Sequence, residues 1–320
     1  MINIVITGVC GFIGFNVAQN LLEKKNIKVI GIDNINNYYS TKLKKNRLKI
    51  LKKNKNFIFF KKDIENENTF KNLIAFKIDF FLHFAAQAGV RYSIKYPRKY
   101  LNSNIKGFFN VVDFCSKNKI KKLIYASSSS VYGENKRFPL KEKFNINPKN
   151  FYGYSKKNNE ETAEIYSKLY NVNSVGLRFF TIYGEWGRPD MFMLKYLNFL
   201  FFKKPKFYLY NHGNHFRDFT YIGDVVNIIK KLINKKQKNK HEIFNICSNK
   251  PIKITKIIKL INYHSKRKIK IKKTGLQLAD IIKTHGDNKK IKNFTNYKKF
   301  TKIDSGIKNL INWFIDYYKI

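Results

Sequence analysis

A phenol one helical turn from an ammonium group makes a workable general base, and the chain offers three Tyr-x-x-x-Lys pairs: Tyr38/Lys42, Tyr132/Lys136 and Tyr152/Lys156. That spacing puts both side chains on one face of a helix, but 20 tyrosines among abundant lysines will produce such pairs by chance. Context selects Tyr152/Lys156. It opens an expected helix, and the serine run Ser127–Ser130 lies 22 to 25 residues upstream, at the end of an expected strand. An unperturbed tyrosine titrates near pH 10, so a tyrosine base needs neighbouring positive charge to favour its phenolate. Lys156 is expected to provide that charge. Ser128 is the serine best placed to hydrogen-bond a reacting hydroxyl and pass on its proton. Tyr152, Lys156 and Ser128 form the expected catalytic set.

A second constellation lies at the start of the chain. Thr7-Gly8-Val9-Cys10-Gly11-Phe12-Ile13-Gly14 follows an expected strand and opens an expected helix. Gly8 suits a tight turn, Gly11 lets the backbone approach a pyrophosphate, and Gly14 allows close helix packing, while N–H groups of Phe12, Ile13 and their neighbours face the phosphates. Asp33 then ends the second strand, beside Asn34, where a carboxylate accepts hydrogen bonds from an adenosine ribose and repels a 2′-phosphate. The expected cofactor is therefore NAD. Asp63-Ile64 after the third strand and Ala85-Ala86 after the fourth would bound its adenine and ribose. Lys156 would also hold the nicotinamide ribose.

These residues need a scaffold that brings strand ends together. Strands are predicted at Ile2–Thr7, Lys28–Ile32, Phe57–Lys61, Phe80–His83, Lys122–Ala126 and Ser174–Arg178, and helices near Phe12–Lys24, Thr41–Lys52, Pro97–Asn118 and Gly153–Tyr170. The alternation reads as α/β: a Rossmann-type doubly wound parallel sheet. After Arg178 it breaks down, which predicts a smaller, discontinuous C-terminal substrate domain. The boundaries follow: a cofactor domain over 1–180 with a return segment at about 219–250, and a substrate domain over 181–218 and 251–320. Helices at Gly223–Asn234, Lys253–Tyr263 and Ser305–Tyr318 and a strand at Ile243–Ile246 complete the pattern.

The formal charge of +43, from 64 basic and 21 acidic residues, invites comparison with nucleic-acid binders. However, the lysines are spread along the whole chain, and Lys, Asn and Ile are inflated together, as an AT-biased coding sequence would make them. The charge is read as that bias, with no specific nucleic acid as partner. Only eight basic residues are Arg, and Arg91, Arg178, Arg188 and Arg217 lie inside motif segments, where a planar bidentate guanidinium has a use. No leader is expected ahead of the first strand, and the apolar run Met191–Phe202, broken by Lys195 and Asn198, is shorter than the roughly 20 residues of a membrane span. Cys10, Cys115 and Cys247 match no metal-ligand spacing. The expectation is a cytoplasmic protein with no membrane segment and no metal.

Longer segments sharpen the reading: Gly31-Ile-Asp-Asn-Ile-Asn-Asn-Tyr-Tyr39, His83-Phe-Ala-Ala-Gln-Ala-Gly-Val-Arg-Tyr-Ser93, Tyr125-Ala-Ser-Ser-Ser-Ser-Val-Tyr-Gly133, Gly176-Leu-Arg-Phe-Phe-Thr-Ile-Tyr-Gly184, Trp186-Gly-Arg-Pro-Asp-Met191, Tyr210-Asn-His-Gly and Arg217-Asp-Phe-Thr-Tyr-Ile222. With these, nearly the whole chain resembles the UDP-glucuronate 4-epimerases, a branch of the extended short-chain dehydrogenase/reductases. It departs from their pattern at Glu185, Ala279 and Gly286, where the family commonly has Pro, Gly and Ala. The resemblance implies tightly held NAD and a redox-neutral cycle. Tyr152 takes the proton from the sugar C4 hydroxyl as hydride leaves C4, the 4-keto sugar rotates, and hydride returns to its other face, giving UDP-galacturonate. It adds Gln87, Asn104 and Phe179 to the cofactor set and Arg91 to the substrate set.

That intermediate is a β-keto acid, so its carboxylate must be held where decarboxylation is disfavoured. Ser129, Ser130 and Thr181 are the expected holders, with Arg188 nearby. The resemblance places Arg217 on the diphosphate and Asp280 on the uridine ribose. Tyr208 and Tyr210 either flank the uridine or fill core, and Phe179 and Phe180 either pack on nicotinamide and sugar or fill core. It also implies a homodimer through helices like Pro97–Asn118 and Gly153–Tyr170. The alternatives are a UDP-glucose 4-epimerase or a UDP-glucuronate decarboxylase on the same scaffold, and a non-catalytic polyanion-binding protein.

Overall fold

The computed structural model describes residues 1–202, 206–276 and 281–320. In chain order β1 (Ile2–Thr7), α1 (Phe12–Leu21), β2 (Ile27–Asp33), α2 (Thr41–Leu51), β3 (Phe57–Lys61) and β4 (Phe80–His83) alternate as the apolar periodicity requires. Two short helices, α3 (Val90–Lys95) and α4 (Pro97–Tyr100), run through a π-helical stretch at Leu101–Lys106 into α5 (Gly107–Lys117). Then come β5 (Lys122–Ser128), α6 (Phe151–Tyr170), β6 (Ser174–Phe179) and β7 (Thr181–Tyr183). The remainder is α7 (Phe192–Phe201), β8 (Phe207–Leu209), β9 (Phe216–Tyr221), α8 (Ile222–Asn234), β10 (His241–Ile246), β11 (Pro251–Lys253), α9 (Ile254–Ser265), β12 (Ile271–Lys273), α10 (Lys289–Thr295) and α11 (Ile303–Tyr318).

Seven strands form one sheet in the order β10-β6-β5-β4-β1-β2-β3, and every pairing in it is parallel. Because each parallel connection must cross a face, both faces are covered and the strands are mostly apolar, with buried polar residues such as Asp33, Ser128 and Arg178 near their carboxyl ends. On one face Phe15, Ala18, Val225 and Ile229 pack with Val29 and Leu177. On the other, Phe108, Val112, Ala163 and Tyr166 pack with Val5, Phe81 and Leu123. Strand order reverses between β1 and β4, so a crevice opens beyond their carboxyl ends. The last strand, β10, returns to this sheet from beyond Phe179, as expected for the segment at Ile243–Ile246.

A separate core gathers α7, α9 and α11, through Leu197, Ile257 and Leu310, around β8 and β9. It carries a three-stranded sheet, β11-β9-β7, and a two-stranded one, β12-β8. This part overhangs the crevice. The helix expected over Pro97–Asn118 is interrupted by the π stretch, for a reason that lies in the site.

Candidate active site

One cleft of about 860 Å³ runs along the carboxyl ends of β1, β2, β4 and β5 and under the overhang. It is lined by Gly8, Gly11, Phe12, Ile13, Gly14, Asp33, Asn34, Asp63, Ile64, Ala85, Ala86 and Gln87, by Ser128, Ser129, Ser130, Tyr152, Lys156 and Phe179, and by Arg91, Phe180, Thr181, Arg188 and Arg217. Asn104 and Tyr208 are not on its wall, and Asp280 lies outside the described residues. Tyr208 is 48% exposed between buried Phe207 and Leu209. The period of two along β8 turns it outward, where Lys272 sits over its ring at 5.9 Å. It is therefore not a cleft residue.

The cofactor end is shaped by backbone. Gly8 has φ +70°, and a Cβ there would lie 2.6 Å from the Ala85 nitrogen, so only glycine fits. A Cβ on Gly14 would collide with the Gly8 carbonyl. The first residues of α1 follow Gly11 with no side-chain cap, leaving the N–H groups of its first turn for an anion. Asp33 Oδ2 accepts from the Cys10 N–H at 3.0 Å and Oδ1 from the Ile35 N–H at 2.7 Å. Burial raises its pKa, and the Ile35 N–H, Lys44, the Cys10 N–H and Arg47 oppose that rise. Each carboxylate oxygen keeps a lone pair for a ribose diol. Asn34 Nδ2 donates to Asp63 Oδ2 at 2.8 Å, joining the ends of β2 and β3. Turn, helix start and carboxylate all fit a dinucleotide.

The reacting end is built on β5 and α6. Asn150 caps α6 by accepting from the Gly153 N–H at 2.8 Å, a bond typically worth about 1 kcal/mol, and this fixes the turn that carries Tyr152. Tyr152 and Ser128 line the cleft together, and the Ser128 side chain favours the Tyr152 phenolate. Lys156, 1% exposed, donates from Nζ to the Ala126 carbonyl at 2.8 Å. Burial pushes the Lys156 ammonium down to about 8, with Glu160 pulling the other way.

Burial raises the Tyr152 phenol above its ordinary 10, and the two influences that lower it are the Ser128 hydrogen bond and Arg188. Arg188 reaches the phenol with its charge from the overhanging part, and the Lys156 ammonium, one helical turn along α6, is held on the Ala126 carbonyl.

Support residues explain several motif positions. Arg178 grips Glu160 bidentately, Nε–Oε1 at 2.9 Å and Nη2–Oε2 at 2.7 Å, and Ser127 Oγ donates to Glu160 Oε1 at 2.5 Å. This guanidinium is a strut behind β5 and α6. Asn104, wholly buried, sits in the π stretch: its Oδ1 accepts from the Gln87 N–H at 2.7 Å, and its Nδ2 donates to the Gln87 carbonyl at 3.0 Å and to Ser155 Oγ at 2.9 Å. It braces a cleft loop against α6, and the widened helical turn is what lets its amide reach both.

Sequence reasoning missed Tyr38, Lys44 and Asp190 as cleft residues. Arg188 pairs with Asp190, Nε–Oδ1 at 3.1 Å and Nη2–Oδ2 at 2.5 Å, and Tyr38 donates to Asp190 Oδ2 at 3.2 Å from across the cleft. The Tyr38–Asp190 contact joins residues 152 positions apart, which no local spacing reveals. Arg91 lies over the Tyr210 ring at 4.8 Å, and Arg217 donates to the Ile282 carbonyl at 3.1 Å. Among the described residues no group of three or more His, Cys, Asp or Glu side chains is arranged to hold a metal, and no helix is long and apolar enough to cross a membrane.

Comparison with known proteins agrees with this geometry. Protein CapI of Staphylococcus aureus is 39% identical over 335 residues, with 99% of both chains covered. The UDP-glucuronate 4-epimerase of Thermodesulfobacterium geofontis is 35% identical over 96% of this chain and 94% of its own. Among solved structures, the UDP-glucuronic acid 4-epimerase of Bacillus cereus, in complex with UDP-glucuronic acid and NAD, superposes with a TM-score of 0.92 at 28% identity, covering 99% of this chain and all of that one. The model of the NAD dependent epimerase/dehydratase family matches residues 4–247. That match takes in the glycine turn, the serine run and the Tyr152/Lys156 pair together, and the chain belongs to this family.

Proposed function

We propose that the protein interconverts UDP-glucuronate and UDP-galacturonate by epimerisation at C4 with bound NAD. The observation that carries this reading is a single cleft in which Tyr152 and Ser128 lie between a dinucleotide-shaped glycine turn and an arginine-lined overhang. When bound, NAD would supply the acceptor and donor of the C4 hydride, and its positive nicotinamide would add a charge that favours the Tyr152 phenolate.

Within that cleft Tyr152 accepts the proton of the C4 hydroxyl and returns it to the product. Ser128 orients that hydroxyl and relays the proton, and Lys156 holds the nicotinamide ribose. Ser129, Ser130 and Thr181 hold the sugar carboxylate, with Arg188 close to them. Arg217 grips the diphosphate through its planar fork. Chain division follows function, with 1–180 and about 219–250 on the cofactor side and 181–218 and 251–320 on the sugar side.

The assembly we favour is a homodimer. Leu101 (42% exposed) and Phe109 (50%), in and just after the π stretch, and Ile165 (53%) and Leu169 (68%) on α6 leave large apolar side chains in solvent, and a second copy would cover them. Three free buried cysteines suit the reducing cytoplasm in which we place it.

Incubation of the purified protein with UDP-glucuronate, with products resolved chromatographically, tests the activity. UDP-galacturonate is expected. Release of carbon dioxide with a UDP-pentose would assign a decarboxylase instead, and conversion of UDP-glucose alone a neutral-sugar epimerase.

A further inference from the structure

Arg47, on α2, is fully buried and lies away from the reacting groups. Its Nη1 donates to the Cys10 carbonyl and to the Tyr39 hydroxyl, both at 2.8 Å. Its Nη2 donates to the Trp186 carbonyl at 2.5 Å and to the Gly187 carbonyl at 3.0 Å. All four acceptors are neutral oxygens, and Nε has no partner among the described residues. The nearby Asp33 carboxylate, which Arg47 favours in its charged form, compensates the guanidinium without a direct hydrogen bond, so its donors are left to join backbones.

What the guanidinium joins is specific. Cys10 sits inside the glycine turn, and Trp186-Gly187 immediately precedes Arg188. Trp186 has φ +58°, a left-handed conformation that a bulky residue rarely adopts and that persists only when its surroundings hold it. Arg47 grips the carbonyl of that strained residue and of the next. The Trp186 ring is wedged against Phe15 of α1 at 5.2 Å and Trp313 of α11 at 5.3 Å.

We propose that Arg47 is a positioning residue: it latches the strained Trp186–Gly187 turn to the glycine turn, so that a dinucleotide seated on the one fixes Arg188 over the sugar site on the other. The proposal rests on the reading of the cleft as a dinucleotide and nucleotide-sugar site. It makes Arg47 act through two backbones, with no contact to substrate.

The chain has two tryptophans, Trp186 and Trp313, and both are at this joint, so intrinsic fluorescence reports on the latch without a label. The test compares wild-type holoenzyme with Arg47→Met and Arg47→Lys. Acrylamide quenching of tryptophan emission is measured with and without added NAD, beside NAD retained per chain and kcat and KM for UDP-glucuronate. In wild type, NAD is expected to protect the tryptophans. In Arg47→Met the quenching constant rises at least twofold, NAD no longer protects, and KM rises tenfold or more while kcat per NAD-loaded chain falls by a smaller factor, the part owed to Arg188 at the Tyr152 phenol.

Arg47→Lys, which keeps the charge but reaches only one turn at a time, falls between and decides the matter if Arg47→Met does not fold. Wild-type quenching and KM in a folded variant overturn the latch, as does a loss of folded protein with KM per folded chain unchanged. If wild type itself does not convert UDP-glucuronate, the functional reading fails, while the quenching comparison still decides the latch.

Discussion

The two walls of the cleft are built differently. On the cofactor wall the functional groups are backbone or are pinned by backbone: the Gly8 turn, the α1 N–H groups, and Asp33 with both oxygens held by N–H donors. All stand at the carboxyl ends of adjacent parallel strands. On the sugar wall the groups are long side chains held by other side chains or by loop carbonyls, Arg188 by Asp190, which also accepts from Tyr38, and Arg217 by the Ile282 carbonyl. A wall made largely of backbone holds its shape whatever the side chains, and leaves the choice of cofactor to the Asp33 carboxylate. A wall made of paired side chains can be retuned one residue at a time, and substrate choice belongs there.

Perturbing each wall sharpens this contrast. The largest effect is expected where the walls meet: Tyr152→Phe removes the base and should lower kcat by about 10²- to 10⁴-fold, read by steady-state kinetics, with NAD retention unchanged because the cofactor wall is intact. Next is Asp33→Asn. Replacing a carboxylate that repels a 2′-phosphate by a neutral amide should cut the preference for NAD over NADP by about tenfold or more, measured as the ratio of dissociation constants; an unchanged ratio would mean that the backbone alone selects the cofactor. On the other wall, Thr181→Val should reduce the selectivity for UDP-glucuronate over UDP-glucose by about tenfold through loss of one hydrogen bond to a charged group, and leave NAD affinity alone. If NAD affinity fell as well, the separation of the walls would be wrong.

The smallest effect concerns stability. Lys156 has a folded pKa of about 8 against an ordinary 10.5, so the unfolded chain holds this proton more tightly than the folded one. The resulting cost, about 3 kcal/mol, is full below pH 8 and is recovered as pH rises toward 10.5. Lys156→Met removes it but strips the Ala126 carbonyl of a partner, at about 1 kcal/mol. The inactive variant should thus be more stable than wild type by about 1 to 2 kcal/mol at pH 7, with the gain shrinking by pH 10, as followed by calorimetry at both pH values.

The same contrast explains what the sequence disclosed. β1, β3 and β4 fall where the apolar runs end, because short parallel strands are bounded by their own turn residues. The glycine turn, Asp33 and the Tyr152/Lys156 pair were legible because their spacing is local and their backbone demands are strict. The approach of Arg188 to Tyr152 from the overhang is not legible in the sequence, since nothing local tells of it. Tyr208 was ambiguous in Phe-Tyr-Leu, where all three side chains can face a core, and only pairing with β12 sets which face is outward. The short strand β7, the antiparallel pair of β9 with β11 and the interruption of the helix before α5 were also missed. Each depends on partners far away in the chain.

The central claim is that hydride leaves C4 of the sugar, stays within the cleft and returns to the same carbon. Incubation with UDP-glucuronate deuterated at C4, in ordinary water, tests it directly by mass and proton magnetic resonance analysis of the product. The account predicts UDP-galacturonate that retains the deuterium at C4. Product with the label replaced by solvent hydrogen, or a pentose with loss of carbon dioxide, would contradict it.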